Sequence, residues 1–394
     1  MPTPPGRTLS PSTDPHPIDP LAAVRGRILL HVRGTTEAPL EQVSAHRSGV
    51  VFSGAKAVEN LESFIRDICP ECPTVLDPSE YERHFATPAA PFTRSDQLPL
   101  PGVPAPRPSP ESAEPQPGGR RLHLTPTRYL RCDEDGEKAL REAVAQADEA
   151  SDPALILAVP IDAQWLTERT DTLISLLHRS RLPKALILGD KDNPTGSKIR
   201  AKGLRQVISS CSDIALLRTD LAAVDAMVHG AVFASIGDTS SARHAAPPGS
   251  RPWRGSDSSP NVLYRPLLRY IRGAKLARYL GEEARDCFCS ACAQWADDHH
   301  RYSGGRPPTG FLDPVDARDA HAHNMAVWSR LWAEIARQPS PEGAREYWRR
   351  VCDSAVGLDS WHHKDVPEYE KVFAAPAYLR FWAGRPERRN TWYR

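Results

Sequence analysis

Three cysteines lie within six residues of one another, at Cys287, Cys289 and Cys292 in the stretch CFCSAC. Thiolates and imidazoles are the usual ligands of a tetrahedral zinc ion, which needs four of them. Three thiols from one tight turn would need one more partner, and the downstream candidates are His299, His300, His321 and His323. Four protein ligands leave no open coordination position, so a zinc ion held here would be structural rather than catalytic. The alternative is three thiols without a metal.

A second pair of cysteines, Cys69 and Cys72 in CPEC, has the Cys-x-x-Cys spacing found in redox and metal sites. No second pair follows at a spacing that would complete a four-thiolate site. We interpret the pair as incidental, with a redox or metal role as the alternative.

Eight short apolar runs alternate with stretches of helical periodicity. The runs lie at 27–33, 50–54, 74–78, 121–126, 154–160, 184–189, 214–219 and 231–237. Continuous apolar runs are typical of strands buried on both faces. Eight such strands alternating with helices predict an α/β fold of the (β/α)8 barrel type. The alternative is a doubly wound open sheet, but no G-x-G-x-x-G motif follows the first run, which weakens a dinucleotide-binding version.

The composition divides the chain into four parts. Residues 1–20 are rich in Pro, Ser and Thr and are predicted to be a disordered tail. The barrel is predicted over 21–286, interrupted by a proline-rich insertion at about 88–119 that we expect to be a disordered surface loop. A zinc-binding module is predicted over 287–335 and a C-terminal helical extension over 336–394.

Charge is nearly balanced, with 50 Lys and Arg against 49 Asp and Glu. This balance argues against a uniformly basic nucleic-acid-binding surface, although a local basic face stays compatible with it. The segment 264–283 is predicted to form a basic amphipathic helix or helix pair, with positive charges near helical spacing at Arg265, Arg269, Arg272, Lys275 and Arg278. The alternative is a solvated helix face.

No apolar stretch has the length of a signal peptide or of a membrane span. The sequence therefore favours a cytoplasmic protein without a membrane partner.

The stretch CFCSAC, together with HNMAVWSRLW downstream, resembles the zinc site of tRNA-guanine transglycosylases. The resemblance extends to YIRGAKL, to DAMVHGAVFASIGDTSSARH and to ALILGD, and covers about residues 150–335. It implies that His323, next to Asn324, is the fourth zinc ligand rather than His321. Members of this family are (β/α)8 barrels that exchange guanine in a polynucleotide for a 7-deazaguanine base.

The resemblance also implies two catalytic aspartates. In the family, an aspartate at the end of the last strand attacks the ribose C1′, and a second one near an early strand end handles protons. By position the nucleophile falls on Ser235, a poor substitute without a neighbouring base, so Asp238 becomes the candidate nucleophile. The family's Asp-Ser-Gly-Gly-Phe motif is absent, and Asp77 is the candidate for the second role. The alternatives are a loop carboxylate or helix cap at Asp238 and a capping role for Asp77.

Polar residues follow the last three predicted strands: Gly189 and Asp190, then Arg218 and Asp220, then Ser241, Arg243 and His244. Chemistry in a (β/α)8 barrel takes place at the C-terminal ends of the strands, so we expect these residues to form one substrate pocket. Arg243, after a run of small residues, is placed to hold a phosphate.

Three functions compete. The first is a divergent transglycosylase acting on an N-glycosidic bond in tRNA or DNA, with a 7-deazaguanine base as partner. The second is a catalytically inactive zinc-containing barrel that binds nucleic acid or a partner subunit, with homodimerisation as a further option. The third is a barrel enzyme that acts on a small phosphorylated substrate.

Overall fold

The computed structural model describes residues 19, 21–34, 39–93, 121–250, 257–281, 284–362 and 373–386. Apart from Asp19, the predicted tail at 1–20 lies outside the described residues, as do residues 94–119 of the predicted insertion.

Eight parallel strands close into a barrel, each paired with the next along the chain and the last paired with the first. They are β1 (Ile28–Arg33), β2 (Val50–Ser53), β3 (Thr74–Asp77), β4 (Leu122–Leu124), β5 (Leu155–Asp162), β6 (Lys184–Gly189), β7 (Ile214–Thr219) and β8 (Ala234–Gly237). The predicted (β/α)8 barrel is confirmed and the open sheet is wrong.

Helices surround the barrel and extend beyond it. They are α1 (Ala57–Asp67), α2 (Glu134–Ala147), α3 (Trp165–Glu168), α4 (Thr170–Leu177), α5 (Lys198–Ser210), α6 (Ala222–Val228), α7 (Gly273–Leu280), α8 (Ser290–Asp298), α9 (Ala317–Ala336), α10 (Pro341–His362) and α11 (Ala377–Trp382). A separate antiparallel pair consists of β9 (Asn261–Tyr264) and β10 (Arg269–Arg272). Among the described helices, none has both the length and the apolar character that crossing a bilayer requires.

The strands read as continuous apolar runs because both of their faces are buried. One cluster fills the barrel interior and includes Leu29, Val75 and Phe233. The residues that alternate with these along each strand point outward and pack against the helices. Because side chains alternate along a strand, the inward set continues toward the C-terminal strand ends at His31, Asp77 and Ser235. All three polar side chains are buried there.

Helix α9 belongs to the layer of helices around the barrel. It packs against β1 and β9, and the indole Nε1 of Trp332 donates to the carbonyl oxygen of Gly26 at 3.0 Å. Helix α10 packs against α9 and α6, and α11 packs against α10 and α5. The segment predicted as a zinc module at 287–335 therefore supplies a barrel helix.

The predicted helix over 264–283 is wrong for its first half. Residues Arg265–Leu267 form a short 3-10 turn, and Leu268 has a φ of 50°. A left-handed residue cannot continue an α-helix, and the chain turns back so that β10 pairs with β9. Among the described residues of this segment, the α-helix is limited to Gly273–Leu280.

The first residues of the predicted insertion are packed against the barrel. Phe92 is buried, and the amide of Thr93 donates to the carbonyl oxygen of Pro126 at 2.9 Å. The chain thus leaves the described part at a residue hydrogen-bonded just beyond the C-terminal end of β4, and it re-enters at Arg121, before the start of that strand.

Replacing residues 94–119 by a short Gly/Ser bridge should shift the thermal unfolding midpoint by no more than about 2 °C, since loop length changes closure entropy only slowly. Phe92→Ala, which removes a buried ring from the ordered edge of the same segment, should lower it clearly more. Differential scanning calorimetry measures both, and a deletion more harmful than Phe92→Ala would contradict the expectation.

Candidate functional site

The three cysteines and His323 converge on one point. The Sγ atoms of Cys287, Cys289 and Cys292 and a ring nitrogen of His323 all lie within 4.8 Å of one another. His323 Nδ1 is 3.6 Å from the Sγ of Cys289 and 3.2 Å from that of Cys292. A tetrahedral ion bound at about 2.3 Å to sulfur and 2.0 Å to nitrogen would separate its ligands by roughly 3.5–3.8 Å. The four side chains can therefore hold a metal ion.

The ring of His323 is oriented by a backbone carbonyl. Its Nε2 lies 3.1 Å from the carbonyl oxygen of Leu263 in β9, so Nε2 carries the proton and Nδ1 faces the thiols. A ligand histidine with its second nitrogen hydrogen-bonded in this way is the common arrangement in metal sites. The implied choice of His323 over His321 agrees with this geometry.

Asn324 anchors the same helix to the same strand. Its Oδ1 accepts a hydrogen bond from the amide of Leu263 at 2.5 Å, and its Nδ2 donates to the carbonyl oxygen of Asn261 at 2.8 Å. The His-Asn pair therefore attaches α9 to β9 through three hydrogen bonds. This explains chemically why an asparagine suits the position after the ligand.

The loop that carries the cysteines is held by Arg306. Its backbone exchanges two hydrogen bonds with Cys287, and its guanidinium binds Asp316 at 2.7 Å and Asp319 at 2.6 Å. The guanidinium also lies over the ring of Phe311, 3.9 Å from its centroid. Within the cluster, hydrogen bonds among the thiols lower the pKa of Cys287 and raise that of Cys292.

The barrel mouth is closed by a buried network around Asp77. Asp77 is 0% exposed, Tyr81 1% and Arg218 2%. The Tyr81 hydroxyl donates to Asp77 Oδ2 at 2.6 Å, and the amide of Ser79 donates to Oδ1 at 2.8 Å. Arg218 donates to the Tyr81 oxygen at 3.1 Å and forms a salt bridge with Glu82. Both carboxylate oxygens of Asp77 thus accept hydrogen bonds from neighbouring residues.

The electrostatics of this network follow from burial. Burial raises the pKa of Asp77 to about 6, against the opposing effect of its hydrogen bonds. Burial also disfavours the charge on Arg218, but Tyr81 and Glu82 raise its pKa above the ordinary value. The arginine is therefore the fixed charge of the mouth, and Asp77 is the group that can change its protonation.

Two further mouth residues form a pair that the sequence analysis missed. His31 Nδ1 lies 3.1 Å from the hydroxyl oxygen of Ser235, and His31 Nε2 lies 3.8 Å from Asp77 Oδ2. Ser235 also accepts a hydrogen bond from the amide of Arg218 at 2.9 Å. Burial, followed by the charges of Arg218 and Arg33, lowers the pKa of His31 well below its usual range. A neutral imidazole thus faces the serine. The sequence did not indicate a functional histidine here, because His31 lies within an apolar run.

Asp238 lies on the loop after β8. Its carboxylate accepts a hydrogen bond from the amide of Thr239 at 2.7 Å, and its own amide donates to the carbonyl oxygen of His31 at 3.0 Å. Its carbonyl oxygen accepts from Arg243 at 3.3 Å. Asp238 is thus hydrogen-bonded to its own loop and to β1, whereas Asp77 is hydrogen-bonded to Tyr81 and Ser79. The two predicted catalytic carboxylates therefore have separate sets of hydrogen-bond partners.

The residues predicted after β6 have structural partners. A Cβ atom on Gly189 would lie 2.3 Å from the ring of Tyr129, so glycine allows this close packing. Asp190 forms a salt bridge with Arg200 at 2.7 Å. After β8, Ser241 is exposed, and its carbonyl oxygen accepts from Arg218 at 3.0 Å.

Three of the predicted substrate residues do line one cavity, of about 320 Å³. These are Asp220, Arg243 and His244. The other lining residues come from the loops after β6, β7 and β8, from the end of β7, from the β9–β10 hairpin and from α11: Asn193, Pro194, Thr219, Leu221, Ser240, Asn261, Leu268, Arg269, Tyr270 and Tyr378. Gly189, Asp190, Arg218 and Ser241 are not among the lining residues. The predicted pocket is thus divided between a sealed mouth and a cavity beside it.

The basic residues of 264–283 are partly used inside the protein. Arg265 pairs with Glu334 in α9, and Arg272 donates to the carbonyl oxygen of Ser259. Lys275 and Arg278 are exposed on α7. The exposed basic residues of the predicted continuous face are therefore those on α7, Lys275 and Arg278.

Cys69 and Cys72 form a disulfide bond at the turn between α1 and β3. Interpreting the pair as incidental did not anticipate this bond. The pair is separate from the four residues of the metal cluster.

A scan against models of known protein families finds no match for this chain, and a search of curated proteins finds no significant relative. The transglycosylase resemblance therefore rests on the residues themselves.

Purified protein should contain about one metal ion per chain by inductively coupled plasma mass spectrometry. Cys289→Ser should lose it and unfold at clearly lower temperature, because binding energy at such a site is folding energy. Cys132→Ser, which alters a free cysteine outside the cluster, serves as the matched control. A metal-free protein that stays folded in chelator would contradict the expectation.

Asp77→Asn should change how stability depends on pH. Since the pKa of Asp77 is raised to about 6, its contribution is full below the unfolded value of about 3.9 and is lost as the pH rises through about 6. Asparagine cannot ionise, so the variant should gain roughly 3 kcal/mol on the natural protein between about pH 4 and pH 7. Urea unfolding measures this gain. The exposed Asp297→Asn should give none, and equal behaviour of both variants would contradict the assignment.

Proposed function

We propose that this chain is a transglycosylase-like barrel that binds nucleic acid and does not exchange bases through Asp77 and Asp238. The observation that carries the proposal is the closed mouth, where Asp77 has no exposed surface beneath Tyr81 and Arg218. Base exchange needs a nucleophile and a proton-transfer group in contact with the sugar and the base. A carboxylate sealed in this way contacts neither.

The metal centre supports the family relationship. Three thiolates with one imidazole in a tetrahedral arrangement are a ligand set that favours zinc over harder cations. We propose zinc, with a structural role, because four protein side chains leave no position for a substrate. The centre joins the cysteine loop to α9 and thereby to the barrel.

Positive charge on α7 supports the nucleic-acid partner. The helix follows β10 directly, and Lys275 and Arg278 are exposed on it. Phosphate neutralisation by such side chains gives affinity without sequence preference and makes binding depend on salt. The same surface would serve tRNA or DNA.

A specific observation favours a second candidate function, an enzyme that acts on an N-glycosidic bond through Ser235. The sequence offers this serine no base nearby, but His31 from β1 lies within hydrogen-bond distance of it. The serine oxygen would bond to the sugar carbon, its proton would pass to His31, and the departing base would take that proton. Access requires Tyr81 and Arg218 to move away from the mouth.

Fluorescence anisotropy with a labelled tRNA and a labelled DNA duplex tests the binding proposal. We expect affinity to fall as salt rises, and Lys275→Gln to lower the slope of log K against log salt by about 1. Arg141→Gln, an exposed position on α2, is the matched control. No binding to either polynucleotide at low salt would overturn the proposal.

Denaturing electrophoresis of the same mixtures separates the two candidates. The binding proposal predicts no covalent adduct and no released base. An adduct or base release that disappears in Ser235→Ala, with binding retained, would establish the second candidate instead.

A further inference from the structure

The cavity beside the mouth has the position of a phosphate site. It lies where the loops after β6, β7 and β8 meet the β9–β10 hairpin and α11. In barrels of this type, phosphate groups are often held by the loops after the seventh and eighth strands. The short 3-10 turn Ser240–Ala242 follows β8 at this place, and its first residue lines the cavity.

Arg243 is a buried cation without a salt bridge. It is 9% exposed, and it donates from Nε to the carbonyl oxygen of Gly237 and from Nη2 to that of Asp238, both at 3.3 Å. These bonds are long for charge-assisted ones. No salt bridge to Arg243 occurs in the part of the chain that the structure describes. Burial lowers its pKa, and the charges of Tyr270, Asp220 and Asp238 oppose this effect. A guanidinium buried without a direct salt bridge is costly.

The cavity also fixes this guanidinium in place. Its central carbon lies 3.4 Å from the centroid of the Tyr270 ring, which holds the planar group flat against the cavity wall. Burial raises the pKa of the Tyr270 hydroxyl to about 12, and the charge and hydrogen bonding of the adjacent Arg243 guanidinium oppose this rise. A preorganised guanidinium next to a buried hydroxyl is a feature of built anion sites.

Further positive charge surrounds the same space. Arg269 lines it, with one guanidinium nitrogen held by the carbonyl oxygen of Ala374 at 3.1 Å. His244 lines it as well, and burial lowers its pKa. The charge of Arg272 also acts on Arg243.

The lining residue of opposite sign is Asp220. Its Oδ1 accepts from the amide of Ala222 at 2.9 Å, which turns the carboxylate toward the start of α6. Burial raises the pKa of Asp220, and its hydrogen bond to the Ala222 amide and the charge of Arg243 oppose this rise.

We propose that this cavity binds the phosphate group of a ligand, with Arg243 as the principal donor and Arg269 and the Tyr270 hydroxyl as additional ones. The volume of about 320 Å³ exceeds that of one phosphate ion and reaches the lower range of small-molecule sites. The phosphate is therefore part of a larger molecule, either a small phosphate monoester or a polynucleotide. The inference does not rest on the proposed function, because a phosphate monoester can bind here whether or not α7 contacts nucleic acid.

Isothermal titration calorimetry of the full chain with inorganic phosphate tests the site, in buffer of constant ionic strength. One site per chain is expected. Arg243→Gln should weaken it at least about tenfold, since hydrogen bonds to charged groups are among the strong ones. Asp220→Asn should bind phosphate more tightly, and Arg141→Gln, an exposed position on α2, should bind it as the natural protein does. Absence of binding by the natural protein, or equal binding by Arg243→Gln, overturns the proposal.

A second titration identifies the source of the phosphate. A 5′-mononucleotide that competes with inorganic phosphate while a single-stranded oligonucleotide without terminal phosphates does not would assign a monoester ligand. The reverse would assign the polynucleotide backbone. If Arg243→Gln fails to fold, thermal shift of the natural protein by phosphate against chloride at equal ionic strength decides, and no specific shift overturns the site.

Discussion

The barrel mouth depends on one buried charge, the guanidinium of Arg218. Its residue has a φ of 55°, and the pairing of β7 with β8 shifts its register between Leu216 and Thr219. This irregularity turns the side chain inward, where Tyr81, Glu82 and the carbonyl oxygen of Ser241 receive it. Because an unpaired buried charge is prohibitive, these groups must stay in place. Glu82 is held in turn by Arg33 of β1, so one cation connects β1, β7, the loop after β3 and the loop after β8.

The barrel could be predicted from the sequence because its strands obey a local rule. Each is an apolar run buried on both faces, so its existence is visible in a few consecutive residues. The metal cluster could be predicted for the same reason, since three ligands lie within six positions. The pair of His31 and Ser235 could not, because these residues are 204 positions apart and meet only when β8 closes on β1. The hairpin at 261–272 was missed because its basic residues follow a helical spacing, while Leu268 adopts a left-handed conformation that no local pattern indicates.

The metal centre and the barrel are parts of one structure. His323 and Asn324 hold α9 to β9 by side-chain hydrogen bonds to the backbone, and Trp332 of the same helix binds Gly26 at the entry to β1. The segment after the cysteines also packs closely on α7 at Phe311. A Cβ atom on Gly273 would lie 1.7 Å from the Phe311 carbonyl oxygen, so glycine is required for this contact. An ion bound by the four side chains would therefore stabilise the cysteine loop together with α9 and the entry to the first strand.

The position of α9 in the layer also bears on how the chain is made. A barrel whose eighth helix ended soon after β8 could bury its first strand once about 260 residues had left the ribosome. Here the face of β1 that α9 covers stays open until residues 317–336 have been synthesised. Contacts between the two ends of a chain form late and slowly. A metal ion that needs His323 as a ligand would bind the nascent chain in the same interval, so its binding and closure of the helical layer would belong to one late step of synthesis.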